Sequence, residues 1–322
     1  MTLTPEFDSV LNLLRDTSHG FPPQALYYFS SLAPDNLAAL EAAWPEVEPE
    51  RRFNILDDLT ELSEANFEVC FDAVFKLALD DESAPARAAA IRGLWEVEES
   101  DLMGRFLHLM QADPAAEVRA AAASALGRFV YLGEVDEITP AQARRIEDAL
   151  IATINGKDEI EVRRRALEAV AYSSRPEVAA LIREAYGSPE EKLRVSAVFA
   201  MGRSADEQWA SQVMAELESV APEIRFEAAR AAGELELEDA VPALAKMGDD
   251  SDRQVREAAI WSLSQVGGPR ARKALKHLLR KAEPDERDFV LDALDNLDFT
   301  DEVQSFPLLD LGSTDSTEDG SS

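Results

Sequence analysis

Three histidines, one cysteine and 63 carboxylate side chains are the groups in this 322-residue chain from which chemistry could start. His19, His108 and His277 lie far apart, and none is followed by Glu. With a single cysteine they do not make the ligand spacing of a zinc site. Cys70 stands in FEVCFDAVF among apolar neighbours, so it is expected in the core and not as a nucleophile. No phosphate-cradling glycine loop, dinucleotide fingerprint or GxSxG elbow occurs. Close carboxyl pairs are inevitable at this acid content and identify no acid–base site by themselves. The expectation is a chain without catalytic residues, metal ligands or a cofactor site.

The residue type that does recur at a telling interval is arginine. Arg52, Arg87, Arg119, Arg163, Arg194, Arg225, Arg256 and Arg287 are separated by 35, 32, 44, 31, 31, 31 and 31 residues. Three residues after each the chain is apolar, from Ile55 to Val290. The same holds four after, from Leu56 to Leu291, and seven after, from Leu59 through Leu126 and Leu263 to Leu294. Positions +3, +4 and +7 form one stripe of a 3.6-residue helix. Turn sequences such as DDESAP, QADPAAE and GSPEE precede these anchor helices and supply caps and first-turn prolines. A second helix follows most of them, clearest in LEDAVPALAKMG from Leu237. The unit is helix, turn, helix, turn, and no β-alternation competes with it.

The pattern in DPAAEVRAAAASALG, from Asp113, resembles HEAT repeats, in the short bacterial form also found in phycobilisome lyases. The resemblance runs from about Pro45 to Asp298. It implies an all-α fold, an α-α superhelix: a HEAT-like α-solenoid of about eight helical hairpins whose anchor helices form the inner, concave layer. It also implies a ladder in which each arginine meets an acid in a neighbouring turn. The arginines would be Arg87, Arg119, Arg163, Arg194, Arg225 and Arg256, and the acids Asp81, Asp113, Asp158 and Asp250, with Glu190 or Glu191 serving the GSPEE turn. Iron-binding hydroxylases of this fold need His-Glu pairs, which the chain lacks.

Three regions follow. Residues 1–44 are expected to form a helical cap and 45–298 the repeat array, with an insertion around 130–157 in which Thr139 caps a lengthened helix. Residues 299–322 are expected to form an acidic, largely disordered tail, whose FPLLDL segment is expected to fold back or to dock elsewhere. The formal net charge of −31 opposes binding to nucleic acid or to anionic membranes, since both need cations to displace counterions. No apolar run approaches a membrane span, and the N-terminus lacks a basic, then apolar, leader. The expected location is the cytoplasm.

Helical geometry points position +5 away from the buried stripe, flanked by +1 and +9. Tyr172, Val195, Phe199, Phe226, Arg230 and Trp261 fall on those positions, the aromatic and arginine composition of interface hot spots. The expected function is a non-enzymatic scaffold that binds a protein or peptide carrying basic and apolar residues on its inner face. The competing expectation is a lyase-like role in handling a chromophore or assembling a complex.

Overall fold

The computed structural model describes residues 5–305, and among these every regular element is a helix. They form two compact units that divide between Ser204 and Ala205. The first contains α1 (Pro5–Arg15), α2 (Pro23–Leu26), α3 (Pro34–Ala43), α4 (Pro49–Ala65), α5 (Asp72–Ala78), α6 (Ala84–Gly93), α7 (Ser100–Ala112), α8 (Ala116–Glu134), α9 (Pro140–Ile154), α10 (Ile160–Val170), α11 (Pro176–Tyr186) and α12 (Glu191–Arg203). The second contains α13 (Ala210–Glu216), α14 (Pro222–Glu234), α15 (Val241–Met247), α16 (Arg253–Val266), α17 (Gly268–Lys281) and α18 (Pro284–Ser305).

In the first unit the anchor helices α4, α6, α8, α10 and α12 pack in succession, and in the second α14, α16 and α18 do the same. The intervening helices pack on the anchor that follows, as α7 does on α8 and α15 on α16. Within each unit this makes a two-layered stack of helical hairpins, the architecture of an α-solenoid. Its core is the expected stripe. Position +3 is at most 1% exposed in all eight copies, and +7 is buried in all of them, with Leu126 and Leu263 at 0%. Position +4 is buried in seven copies. The eighth, Leu291, is 38% exposed, because α18 has no later anchor helix against it among the described residues.

Small residues set how closely the anchor helices approach. A Cβ on Gly127 of α8 would lie 3.2 Å from the Ala169 Cα of α10, and one on Gly233 of α14 would lie 2.9 Å from the Ser262 Cα of α16. Three anchor helices are followed by a left-handed residue eleven positions after the arginine: Ala205 (φ 49°), Glu236 (φ 51°) and Gly267 (φ 69°). Ala205 and Glu236 adopt this conformation against a steric cost of about 1 kcal/mol each.

Thr139 caps α9 with a full capping box, its hydroxyl accepting the Gln142 N–H while the Gln142 side chain accepts that of Thr139. The insertion thus prolongs α8 to Glu134 and makes α9 a 15-residue helix. Cys70 departs from its expected core position. The FEVCFDAVF run is not one helix, since α5 begins only at Asp72, and Cys70 is left exposed in the preceding loop while Phe71 turns inward. At the other end α18 continues to Ser305, past Asp298, while FPLLDL and the rest of the tail lie outside the described residues.

Candidate partner-binding groove

The anchor arginines organise the turns beneath the inner face. Arg87 donates Nε and Nη2 to the two Asp113 oxygens at 2.8 Å each, and Arg119 does the same to Asp158 at 3.0 and 2.7 Å. In the second unit Arg225 grips Asp250 at 2.9 Å through both atoms, and Arg256 pairs with Glu286. Asp81, which is buried, pairs with the equally buried Arg52 at 3.1 Å and accepts the Trp44 indole N–H at 2.7 Å.

Each of these arginines except Arg52 also donates Nη1 to two carbonyls of its own turn, as Arg119 does to Asp113 and Pro114. Each aspartate in turn accepts a backbone N–H one or two residues on, as Asp113 accepts that of Ala115. One carboxylate therefore closes its own turn and holds the preceding repeat.

Two arginines depart from this pattern. Arg163 gives Nε to the Ile154 carbonyl at 2.9 Å and has no carboxylate within ion-pair distance among the described residues. Arg194 keeps the two turn carbonyls, those of Ser188 and Pro189, but the carboxylate it reaches is Glu191 of its own helix, at 3.6 Å. By register, the acid seat of the Arg163 rung holds Ser188.

The rungs show in the acidities. The hydrogen bond from Arg119 holds Asp158 below the usual carboxylate range, and that from Arg225 does so for Asp250. Burial pushes Asp113 upward, but hydrogen bonds from Arg87 and the Ala115 N–H outweigh it and leave its pKa lowered.

Above this ladder, the anchor helices of the first unit line a groove of about 830 Å³. Trp95 and Tyr131, 53% and 41% exposed, stand in its wall with Tyr172 and Phe199. The Tyr131 and Tyr172 rings meet edge to face at 6.0 Å. Arg128 lies 5.4 Å from the Tyr131 centroid, and Arg203 lies 5.9 and 5.2 Å from those of Tyr172 and Phe199. Cations over ring faces and T-shaped ring pairs are attractive arrangements that fix ring orientation.

The groove arginines are neutralised from within the chain. Arg128 pairs with Glu98, Arg165 with Glu161 and Glu168 at 3.2 and 2.8 Å, and the half-exposed Arg92 lies 3.9 Å from Asp57. Burial pushes Glu161 up, but bonding to Arg164 and the charges of Arg164 and Arg165 outweigh it and hold it low. Glu64 and Glu117 add exposed carboxylates to the rim.

Of the residues singled out from sequence, Tyr172 and Phe199 line this groove, and Val195 is partly buried on the same helix as Phe199. Phe226, Arg230 and Trp261 belong to the second unit, where the Arg230 guanidinium lies 5.4 Å from the Trp261 ring and 3.6 Å from Glu234. Trp95, Arg128 and Tyr131 were not among the expected site residues. They stand eight, nine and twelve residues after their anchors: Arg128 shares the +9 flank with Tyr172, Tyr131 lies two turns beyond +5 in the same phase, and Trp95 follows the end of α6. Their signal was an aromatic at +8 and an Arg-x-x-Tyr that carries the outward stripe into the part of α8 that the insertion prolongs.

The HEAT repeat model matches residues 71–145 and 210–295, together half of the chain. The chain belongs to the HEAT-repeat family. No curated protein matches it in sequence. Among solved structures, these HEAT repeats are similar to the complex of CpcE and CpcF of phycocyanin lyase from Nostoc sp. PCC7120. The TM-score is 0.53 at 15% identity, over 88% of this chain and 97% of that one. Human deoxyhypusine hydroxylase matches with a TM-score of 0.36 at 19% identity, over 91% of this chain and 96% of its own. Importin beta matches with 0.46 at 15% identity, over 91% of this chain and 46% of its own. The likeness to the lyase complex is one of fold. Among the described residues no group of three or more His, Cys, Asp or Glu could hold a metal ion, and no helix is long and apolar enough to cross a membrane.

Proposed function

We propose that this HEAT-repeat chain is a non-enzymatic scaffold that binds a segment of another protein in the groove of its first unit. The observation that carries the reading is the set of four aromatic side chains, Trp95, Tyr131, Tyr172 and Phe199, around one groove, the last three of them with Arg128 or Arg203 over their rings. Half-exposed aromatics that are already oriented lose little entropy on binding, which is why such residues dominate interface energetics. Because Arg128 and Arg165 are answered by Glu98, Glu161 and Glu168, and Arg92 by Asp57, the charge left for a partner is that of Glu64 and Glu117. The preferred segment has an apolar anchor beside Lys or Arg. Phe226, Arg230 and Trp261 on the second unit offer a further patch of similar composition.

Peptide arrays probed with the full-length chain and with a Trp95→Ala/Tyr131→Ala/Phe199→Ala variant test this. Spots that combine an apolar residue with adjacent cations should bind, and the variant should lose at least tenfold in affinity, about 1.4 kcal/mol. Undiminished binding by the variant would remove the groove from the function. A chromophore-handling role, of the kind named for the phycocyanin lyase complex, would instead appear as tetrapyrrole absorbance retained through purification.

A further inference from the structure

The acid seat facing Arg163 holds Ser188, six residues before Arg194, as Asp113 and Asp250 lie six residues before Arg119 and Arg256. Ser188 occupies that seat in the manner of the aspartates. Its Oγ accepts the Glu190 N–H at 3.1 Å, two residues on, just as Asp113 accepts from Ala115 and Asp250 from Asp252, both at 2.9 Å. Arg194 donates Nη1 to the Ser188 and Pro189 carbonyls, as Arg119 does to those of Asp113 and Pro114. The turn is therefore built as a rung, and α10 packs on α12 as α8 packs on α10. What the hydroxyl lacks is negative charge.

We propose that Ser188 is a phosphorylation site and that its phosphate supplies the missing anion of the Arg163 rung. In the step itself, the Ser188 oxygen bonds to the γ-phosphorus of a nucleoside triphosphate held by a kinase. The bond from that phosphorus to the bridging oxygen breaks, nucleoside diphosphate leaves, and the hydroxyl proton passes to the kinase's base. The product carries a charge of about −1.5 to −2 and extends one bond further than an aspartate carboxylate. Arg163 has the donors for it: its Nε is held by the Ile154 carbonyl, and both Nη groups remain for a paired grip on phosphate oxygens once the side chain turns toward the seat. Ser188 is partly exposed in the turn between α11 and α12, within reach of a modifying enzyme. Glu190 and Glu191 oppose the added charge, so any gain must come through Arg163. Because α10 and α12 carry Arg165, Glu168 and Phe199, the modification would fix one wall of the groove. The proposal does not depend on what the groove binds.

The test places phosphoserine at position 188 of the full-length chain by genetic encoding and follows amide hydrogen exchange in α10 and α12. Exchange there should slow about fivefold, the factor that a 1 kcal/mol local gain produces. Arg163→Gln should abolish the slowing, and Arg163→Lys, which keeps the charge without the planar fork, should retain only part of it. Peptide mass spectrometry of the chain from its own cells should find phosphate on Ser188. No slowing, slowing that survives Arg163→Gln, full slowing with Arg163→Lys, or recovery of the Ser188 peptide only without phosphate would each overturn the proposal.

Discussion

The seams on either side of α10 join the same kinds of helix by different means. Between α8 and α10, Arg119 grips Asp158 with both nitrogens, at the turn, and Gly127 lets the helix backbones close on Ala169. Between α10 and α12 the turn has no rung, and polar bonding moves up to the inner face, where the buried Ser196 of α12 accepts from Arg164 at 3.2 Å and donates to Glu168, both on α10. The stripe at +3, +4 and +7 is equally buried on both sides. Apolar packing therefore stacks the repeats, and the polar groups decide where each seam is held.

The largest effect that would break this contrast is the removal of a gripping arginine. Arg119→Ala strands the Asp158 carboxylate and two turn carbonyls and should cost about 3 kcal/mol, whereas Arg163→Ala should cost under about 1 kcal/mol. Urea unfolding of the two variants measures the gap, and equal losses would show that the rung carries no special weight.

Acid provides a second, smaller lever. A lowered folded pKa means that the unfolded chain binds more protons in that range. The stabilisation by Asp158 is therefore fully present above its ordinary value of about 3.9 and fades as pH falls through the lower folded value. Asp158→Asn should flatten the loss of stability below about pH 4. Arg163→Gln, which touches no such carboxylate, should leave that slope as it is. Melting curves collected from pH 5 to pH 2.5 would compare them, with identical slopes for Asp158→Asn and the parent counting against the linkage.

The smallest expected change sharpens the contrast from the other side. Ser188→Asp restores the acid of the seat and should stabilise the chain by about 0.5–1 kcal/mol, a gain that Arg163→Gln should erase in a double-mutant cycle. A gain of the same size in both backgrounds would mean that the acid acts only on its own turn.

The repeat architecture was legible from the sequence because burial repeats with the helix period: the +3 and +7 columns needed no partner information to be read. Leu291 escaped that logic because its burial depends on a helix that would have to follow α18. The rungs were legible only in part. Asp113, Asp158 and Asp250 have the right type in the right turn, but Glu286 lies just before its own anchor, and its pairing with Arg256 follows from side-chain reach, which spacing does not encode. The groove was the least legible part. Tyr172 and Phe199 sit on the outward stripe, while Trp95 follows the end of α6 and Tyr131 lies where the insertion prolongs α8, so their convergence depends on where two helices stop. Cys70 misled for the same reason, since a run of apolar neighbours says nothing about where α5 begins.

The left-handed bends at Ala205, Glu236 and Gly267 carry a consequence for how such a chain can change length. They recur every 31 residues with a positive φ at each, and Ala205 and Glu236 agree to within a few degrees in φ, whereas Gly267, with ψ −166° and a second positive-φ glycine after it, bends in a region that only glycine adopts readily. Excising residues 206–236 would bring Ala205, in its bend, before Leu237, where Glu236 stood. A whole repeat can thus be lost or duplicated between those two bends without inventing a new connection, and glycine is required only at the bend after α16.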